Sequence, residues 1–372
     1  MKRTYKSWLK GEVKSEQREY TEPTKLLDSD GTLLAAGWAR HNVFEYDRNL
    51  VKKSHSRKEW DFYQISNGKY MVQISFANIS IGGYVCAALV DLQNPDPNKK
   101  LAAGTITAPQ PIFLGKTDEY ILPSKGDVPN LVDFSIDGIG SGKFVFDTRE
   151  NTRSLHFEST DKGKAVVCDF TMDIPENLEN ITTVLPFENH PKCYFMTTKQ
   201  NCMPCEGVFR FGDDIYEFSK EDTFCVLDWG RVNTPYSMVW YWGNGATYIT
   251  DEKGEKHTFG FEITWGIGDE SKATETCIFY DGKVHKFGAV DVDMFPKPDK
   301  YMHPWHFISD DGRFNFTMTP FYDHHSDLNV VAMRMHSHQV HGKWSGKAIL
   351  DDGTEINIKD MYAFCEYVEN RW

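Results

Sequence analysis

The sequence has little that would suit a membrane, a nucleic acid or a helical bundle. It holds no run of about 18 apolar residues, the length that a membrane-spanning helix needs. Acidic residues outnumber basic ones by 54 to 41, and the resulting net charge of -13 repels nucleic-acid phosphates and anionic lipid headgroups. Long Ala, Leu, Glu and Lys tracts, typical of helices, are also missing. We therefore expect no nucleic-acid partner, no membrane span and few helices.

Short motifs that identify many enzymes are absent as well. The sequence has no Walker loop, no Gly-x-Ser-x-Gly nucleophile elbow and no His-Glu-x-x-His zinc motif. Cys202 and Cys205 form one Cys-x-x-Cys pair, but no second pair follows that would complete a zinc knuckle. We therefore predict a protein that uses no cofactor and no metal.

Cysteine usage and the polar N-terminal segment bear on the compartment. The 8 cysteines are scattered through a chain of 372 residues, which is typical of reduced thiols rather than of a disulfide framework. The first residues lack the apolar stretch of a secretory signal. We therefore expect a cytoplasmic protein without disulfides.

The sequence is rich in aromatic residues and in strand-like alternation. Aromatic residues make up 14% of the chain, a bias that favours pleated sheets. Apolar and polar residues alternate in segments such as 70–76 and 313–318, and dipeptides such as Asp281-Gly282 indicate hairpin turns. This pattern predicts an all-β, antiparallel fold. Because 372 residues exceed what one core usually serves, we predict an N-terminal β lobe over 1–180 and a C-terminal β lobe over 181–372 that carries most candidate site residues.

The densest group of residues that could take part in catalysis or binding surrounds Asp228. If residues 224–228 form a strand, Phe224, Val226 and Asp228 share one face, so an acid ends an apolar stripe. Arg231, placed just past a predicted turn, is the obvious ion-pair partner. Two interpretations stay open, an acid or base at the mouth of a pocket and a structural Asp–Arg bridge.

Trp240 and Trp242 form the second group. They fall on one face of the next predicted strand, with Tyr241 on the other face. Paired indoles can stack on a sugar ring, a polyene or a cation, and each indole N–H needs an acceptor. Packing in a β core is the alternative.

Histidine is concentrated in one part of the sequence, because seven of the 13 histidines lie between residues 303 and 341. Alternation places Arg334, His336 and His338 on one face of a predicted strand. A His-x-His pair can chelate zinc, but two ligands do not complete a site, and we therefore predict no metal there. A histidine near Asp228 could instead relay protons, and a solvated polar face is the third interpretation.

Several segments, taken in order along nearly the whole chain, resemble the domain-of-unknown-function family numbered 2804. They are Ala-Gly-Trp-Ala-Arg at 36–40, Asn-Cys-Met-Pro-Cys-Glu-Gly at 201–207, Leu-Asp-Trp-Gly-Arg at 227–231, Trp-Tyr-Trp-Gly at 240–243 and His-Gln-Val-His-Gly at 338–342. This family is similar in architecture to lipocalin-like double-barrel proteins, among them carotenoid hydratases and tocopherol cyclases. The resemblance implies two antiparallel, lipocalin-like barrel or sandwich lobes with few short helices.

The resemblance also implies a chemistry. In the enzymes of that wider group an acid in a dry pocket protonates an alkene, and aromatic faces stabilise the cation that develops. We therefore predict a protein that binds a small molecule and acts as a lyase, hydratase or cyclase by proton transfer, with Asp228, Glu275 and His338 as catalytic residues. The predicted ligand-binding residues are Arg231, Trp229, Trp240, Trp242, Asn201, Arg334, His336 and Gln339.

Two alternatives stay open beside this hypothesis. The same pocket could shield a lipid-like ligand without catalysis, as in a carrier. Asp228 and Glu275 could instead form the carboxylate pair of a carbohydrate-active enzyme. The oligomeric state is left open by the sequence.

Overall fold

A computed structural model describes residues 17–52, 54–93, 103–115, 130–293, 300–330 and 333–371, and the polar N-terminal segment lies outside this part of the chain. Strands dominate the described residues. The two helical elements found there are single 3₁₀ turns, Arg48–Leu50 and Ser54–Ser56. No helix within the described ranges is both long and apolar enough to cross a membrane.

The strands are numbered in chain order. They are β1 (Thr24–Lys25), β2 (Gly37–Ala39), β3 (Phe44–Glu45), β4 (Arg57–Ser66), β5 (Tyr70–Asn78), β6 (Gly83–Asp91), β7 (Gly104–Thr107), β8 (Ile112–Phe113), β9 (Asn130–Ile136), β10 (Gly140–Asp147), β11 (Thr152–Asp161), β12 (Lys164–Asp173), β13 (Ile181–Phe187), β14 (His190–Phe211), β15 (Asp214–Phe218), β16 (Phe224–Asn233), β17 (Ser237–Thr250), β18 (Lys256–Trp265), β19 (Cys277–Tyr280), β20 (Lys283–Lys286), β21 (Val290–Asp293), β22 (Trp305–Ser309), β23 (Phe314–Val330), β24 (Met333–Ile349) and β25 (Glu355–Arg371).

These strands form two large antiparallel sheets, each curled into a half-barrel. The first sheet runs in the order β7-β6-β5-β4-β16-β14-β12-β11-β10-β9, with β2, β8, β13 and β15 attached to its sides. The second runs β20-β19-β18-β17-β25-β24-β23-β22-β21. A small parallel pair, β1 and β3, lies apart from both. The predicted all-β, antiparallel fold with two lobes and few short helices is confirmed.

Tight hairpins connect most neighbouring strands. Between β19 and β20, Tyr280 pairs with Lys283, so the loop consists of Asp281 and Gly282 alone. Both loop residues have positive φ, 47° and 81°, as a two-residue hairpin turn of the right twist requires. Glycine and aspartate tolerate this conformation, which explains why the dipeptide marks the turn in the sequence.

Each half-barrel encloses its own apolar core. Alternate residues of β16, such as Leu227 and Trp229, lie in the core of the first lobe. Tyr241 of β17 lies in the core of the second lobe. The first sheet curls far enough that the Thr107 hydroxyl in β7 donates a hydrogen bond of 2.7 Å to Asp161 in β11.

The outward faces of the two sheets pack against each other. One apolar cluster joins Phe195 and Val232 of the first sheet to Ile267, which follows β18 of the second. A buried hydrogen bond of 2.9 Å from Gln64 to Asn244 also crosses between the lobes. Outward-facing residues of several strands of each sheet therefore meet at this interface, and a cavity lies there.

The chain passes from the first sheet to the second between Asn233 and Ser237. Strands β13, β14 and β16 all belong to the first sheet. The predicted lobe boundary at 180/181 thus falls within the first sheet, between β12 and β13. A division of the chain into independently folding units at that point remains a prediction.

Candidate functional site

A cavity of about 580 Å³ lies between the two lobes. This volume falls in the range of roughly 300–1,000 Å³ that ligand sites occupy. Strands β4, β5, β6, β14 and β16 of the first sheet and β17, β18, β23, β24 and β25 of the second sheet line it. Its aromatic wall consists of Trp60, Phe62, Tyr84, Phe195, Trp240 and Trp242.

The alternation of β16 brings Asp228 into this wall. Leu227 and Trp229 point into the core of the first lobe, whereas Asp228 and Val232 line the cavity. Asp228 is buried, with 7% of its surface exposed. Trp229 is fully buried in the lobe core. It therefore lies on the face opposite to the one that a ligand-binding role requires.

Trp240 and Trp242 both line the cavity, and Tyr241 points into the second lobe, as the alternation of β17 predicts. The Trp242 ring makes an edge-to-face contact with Phe62 across the interface, with ring centroids 5.8 Å apart. The two indoles that the sequence analysis pairs therefore share a wall with Asp228.

Lys199 is the partner of Asp228. The two residues are register partners across β14 and β16, and Lys199 Nζ lies 2.7 Å from Asp228 Oδ1. The same ammonium lies 4.4 Å from the centre of the Trp242 ring. Burial alone would lower the pKa of Lys199, but the carboxyl groups of Asp228 and Glu275 raise it above its ordinary value.

The predicted pair of Asp228 with Arg231 is wrong. Strand β16 continues through Asn233 instead of turning after Asp228. Residues three positions apart on a strand point to opposite faces, so Arg231 faces the first lobe. There its guanidinium lies 3.0 Å from Asp61 Oδ1 and 4.1 Å from the Trp229 ring. Arg231 is fully buried and does not line the cavity.

Glu366 of β25 supplies an acid to the cavity wall. Its Oε1 accepts a hydrogen bond of 2.9 Å from the indole nitrogen of Trp240. Burial raises the pKa of Glu366 to about 7, the Trp240 hydrogen bond lowers it in part, and the charge of Asp228 raises it. A carboxyl group with this pKa is partly protonated near neutral pH and can either give or accept a proton.

Glu262 of β18 stands behind the cavity wall. Its two oxygens accept hydrogen bonds from Trp242, at 2.8 Å, and from the side chain of Asn201, at 3.0 Å. Burial raises the pKa of Glu262 to about 8, while the ammonium of Lys199 lowers it in part. Asn201, predicted to bind a ligand, therefore positions Glu262 and is not part of the cavity lining.

Glu275 lines the cavity beside the same ammonium, with its Oε2 4.0 Å from Lys199 Nζ. It is buried, and burial raises its pKa while Lys199 lowers it in part. Lys199 thus stands among the carboxyl groups of Asp228, Glu262, Glu275 and Glu366. Because one ammonium cannot balance so many negative charges in a buried site, some of these carboxyl groups hold protons at neutral pH.

Only one of the two faces of strand β24 lines the cavity. Met335, Ser337 and Gln339 line it, and Gln339 accepts a hydrogen bond of 2.8 Å from Gln73 of the other lobe. Residues 334, 336 and 338 share the opposite face, as predicted, but that face turns away from the cavity.

His338 is consequently separated from Asp228 by β24 itself, contrary to the predicted proton relay. Its Nδ1 lies 2.7 Å from Asp323 Oδ2, and its ring stacks on Tyr301. Arg334 lies 3.7 Å from Glu369, and His336 lies 3.8 Å from Asp327. None of these three side chains contributes to the cavity lining.

Lys199, Glu262 and Glu366 are the site residues that the sequence analysis missed. A signal for Glu262 and Glu366 was present, because each is a charged residue inside an otherwise apolar run, such as Ala-Phe-Cys-Glu-Tyr-Val at 363–368. A charge in such a run is rarely buried unless it is paired. Trp240 and Trp242 each carry an indole N–H group that needs an acceptor, and this need also indicates buried acceptor residues near them. Lys199 lies in the polar segment Thr-Thr-Lys-Gln-Asn at 197–201 and has no such signal.

Metal-binding side chains gather elsewhere than on this cavity. Within the described part of the chain, two groups of three potential ligands occur, one at His325, His336 and His338 and one at Asp251, Glu255 and His257. Neither group contributes to the cavity lining.

Comparison with known proteins yields one family. The family model described as "Domain of unknown function (DUF2804)" matches residues 17–372. No curated protein matches the chain. Among solved structures, a candidate AttH of Nitrosomonas europaea is similar with 13% sequence identity and a TM-score of 0.46, over 88% of this chain and 96% of its own. Kievitone hydratase of Nectria haematococca is similar with 11% identity and a TM-score of 0.43, over 95% of this chain and 98% of its own.

Proposed function

We propose that this chain, which belongs to the DUF2804 family, holds an apolar small molecule between its lobes and acts on it by proton transfer, as a cofactor-independent lyase, hydratase or cyclase. The proposal depends above all on the properties of Glu366. Its carboxyl group has a pKa raised to about 7 and lies in an aromatic wall that also holds the Lys199–Asp228 ion pair.

Glu366 is the proposed general acid. A carboxyl group that is partly protonated at the working pH has both the proton and the driving force to give it to carbon. The Trp240 N–H fixes one of its oxygens, which holds the group in place at the wall. The indole faces of Trp240 and Trp242 supply the electron-rich surfaces that stabilise a developing cation.

Asp228 is the proposed base. Its ion pair with Lys199 keeps a negative charge at the cavity wall. In a hydration, Glu366 gives a proton to one alkene carbon, a water oxygen bonds to the other, and Asp228 accepts the proton that the water loses. Return of that proton from Asp228 to Glu366 restores both groups, so the net reaction adds one water and needs no other reactant.

The two alternatives find less support in this geometry. A carrier for a lipid-like ligand gains nothing from several buried ionisable groups, because each one destabilises the fold unless it is paired. A glycoside-active pair needs open space between its carboxylates for the sugar. Here the ammonium of Lys199 contacts both Asp228 and Glu275 and occupies that space.

Deuterium uptake tests the proposal. The full-length protein is incubated in D₂O with a small-molecule extract of the cells that express it, and the extract is profiled by mass spectrometry. We expect a compound that gains or loses one water, or that takes up deuterium on carbon. Glu366→Gln is expected to slow this conversion roughly 10²- to 10⁴-fold, because it removes the general acid.

The matched control is Glu355→Gln, on the same strand β25 but in an exposed ion pair with Lys347. It should convert the compound at the rate of the unmodified protein. Recovery of an unchanged ligand from the protein, with no conversion of any compound, would establish a carrier instead. Release of a sugar would establish the glycoside alternative, and conversion by Glu366→Gln at full rate would remove Glu366 from the mechanism.

A further inference from the structure

Three histidines meet on the face of the β23–β24 hairpin that turns away from the cavity. His325 and His338 are register partners across the hairpin, and His336 lies two residues from His338 on the same face. One ring nitrogen of each residue lies within 4.8 Å of the corresponding nitrogens of the other two. The His-x-His pair visible in the sequence thus gains a third member from the neighbouring strand.

We propose that His325, His336 and His338 bind a divalent transition-metal ion, with zinc as the reference ion. Neutral imidazole is a common zinc ligand, and three histidines with water in the fourth position form a known tetrahedral ligand set. Strand pairing explains how the set arises. Residues that face each other across a hairpin, and residues two apart on one strand, place their side chains on the same side of the sheet.

Acidic residues behind the histidines fit the same interpretation. Asp323 Oδ2 lies 2.7 Å from His338 Nδ1, which leaves Nε2 of that ring free to face a metal. A carboxylate that holds the far nitrogen of a metal-bound histidine is the usual outer partner in such sites. Asp327 lies 3.8 Å from His336 and can take the same role. Tyr301 stacks on His338 at 3.7 Å and fixes the plane of that ring.

The site is accessible from solvent. His338 is buried and His336 partly buried, whereas His325 is exposed. The His325 ring now lies parallel to the His338 ring, with centroids 4.2 Å apart. Binding requires a rotation of the His325 ring, so that its lone pair turns toward the same point as the other two, and an exposed side chain can make that rotation.

The metal site is independent of the proposed proton-transfer site. Met335, Ser337 and Gln339 carry the cavity face of β24, and the histidines occupy the other face. Occupation of the histidine cluster therefore leaves the Glu366 region unchanged. A failure of either proposal leaves the other standing.

Metal titration of the full-length, chelator-treated protein tests the proposal. Zn²⁺ affinity is measured by competition with a coloured chelator, and Co²⁺ is added separately to detect the visible absorption of a tetrahedral complex. We expect one tight site per chain. His325→Asn and His336→Asn should each weaken Zn²⁺ binding at least about tenfold. Asp323→Asn should weaken it by roughly 10- to 100-fold, the usual effect of losing an outer partner.

Two controls make the result decisive. His257→Asn disrupts the other group of potential ligands and should leave the affinity unchanged. Glu366→Gln should also leave it unchanged, because it changes the cavity face alone. Circular dichroism shows whether each variant is folded. We expect His325→Asn to remain folded, because residue 325 is exposed. Full Zn²⁺ affinity in folded His325→Asn and His336→Asn, or loss of binding in His257→Asn, would overturn the proposal.

Discussion

Strand β16 takes part in two buried ion pairs, on opposite faces, that differ in their charge balance. Arg231 faces Asp61 at 3.0 Å and also donates hydrogen bonds to the backbone carbonyls of Trp60 and Gly230, each at 2.8 Å. Lys199 faces Asp228 at 2.7 Å, but Glu262, Glu275 and Glu366 surround the same ammonium. The first pair lies in a packed core and the second at the wall of a cavity.

This difference indicates that the Arg231–Asp61 pair stabilises the fold, whereas the Lys199–Asp228 pair belongs to a site where protons can be exchanged. A matched pair of one cation and one anion, held by hydrogen bonds, fixes the geometry of the core. Burial, together with the excess of carboxyl groups around one cation, raises the pKa values of Glu262, Glu275 and Glu366. The comparison therefore predicts that the first pair controls stability and the second controls the response to pH.

The largest effect is expected when the matched pair is broken. Arg231→Met leaves the Asp61 carboxylate buried without its guanidinium, which should lower the free energy of unfolding by about 3–5 kcal/mol. Chemical denaturation measures this loss. Lys347→Met is the control, because Lys347 pairs with Glu355 at the surface and its removal should change stability by less than about 1 kcal/mol. Equal losses in the two variants would contradict the structural role of Arg231.

The second prediction concerns the pH dependence of stability. Glu366 has a pKa of about 7 in the folded protein against an ordinary value of 4.5, so between these pH values the folded chain keeps a proton that the unfolded chain has lost. Rising pH therefore favours unfolding in this window, with roughly 1.4 kcal/mol per unit of pKa difference. Glu262, with a pKa of about 8, extends the decline to higher pH.

Glu366→Gln should flatten this decline, because the amide carries no titrating proton. Denaturation curves at several pH values between about 5 and 8 measure the slope. Glu355→Gln, on the exposed part of β25, should leave the slope as it is. A slope in Glu366→Gln identical to that of the unmodified protein would mean that Glu366 titrates in the same range in the folded and unfolded chains.

A smaller effect is expected for Lys199→Met, although it removes an equally buried cation. The cavity has room for water beside Asp228, and water there can solvate the carboxylate that the lysine leaves behind. We expect a loss of about 1–2 kcal/mol at neutral pH, less than the loss for Arg231→Met. The pKa of Glu366 should rise further, because Lys199 lowers it. A loss as large as that of Arg231→Met would show that the two pairs do not differ.

The smallest effect is expected for Trp240→Phe. The change removes the indole N–H that donates to Glu366 and keeps most of the ring surface. Because that hydrogen bond lowers the pKa of Glu366, its loss should raise the pKa by roughly half a unit to one unit. Carbon NMR of labelled glutamate side chains measures the shift. Trp60→Phe, in the same cavity wall but on the other lobe, is the control and should not move the signal.

The site shows how far alternation along a strand can be read from the sequence. Asp228 shares the interface face of β16 with Val232, and Trp240 and Trp242 share one face of β17, because side-chain direction follows from the local backbone. Arg231 was assigned to the wrong partner because the strand continues where a turn was expected. The position of a strand end thus decides which way the side chains just after it point.

The grouping of Arg334, His336 and His338 on one face was also correct, but their position relative to Asp228 was not. Which face of β24 meets the cavity depends on how the two sheets pack, and that packing joins residues far apart in the chain. For the same reason the sequence offered no direct link between Lys199 and Glu366, which lie in different sheets.

By itself, the sequence determined the antiparallel strands, their hairpin turns and the residues that share a face, because extended backbone and tight turns are set by neighbouring residues. The tertiary structure alone decided which faces enclose the cavity, which carboxyl groups crowd around Lys199 and which histidine joins His336 and His338. These depend on the register and packing of strands that are distant in the chain, and no local pattern encodes them.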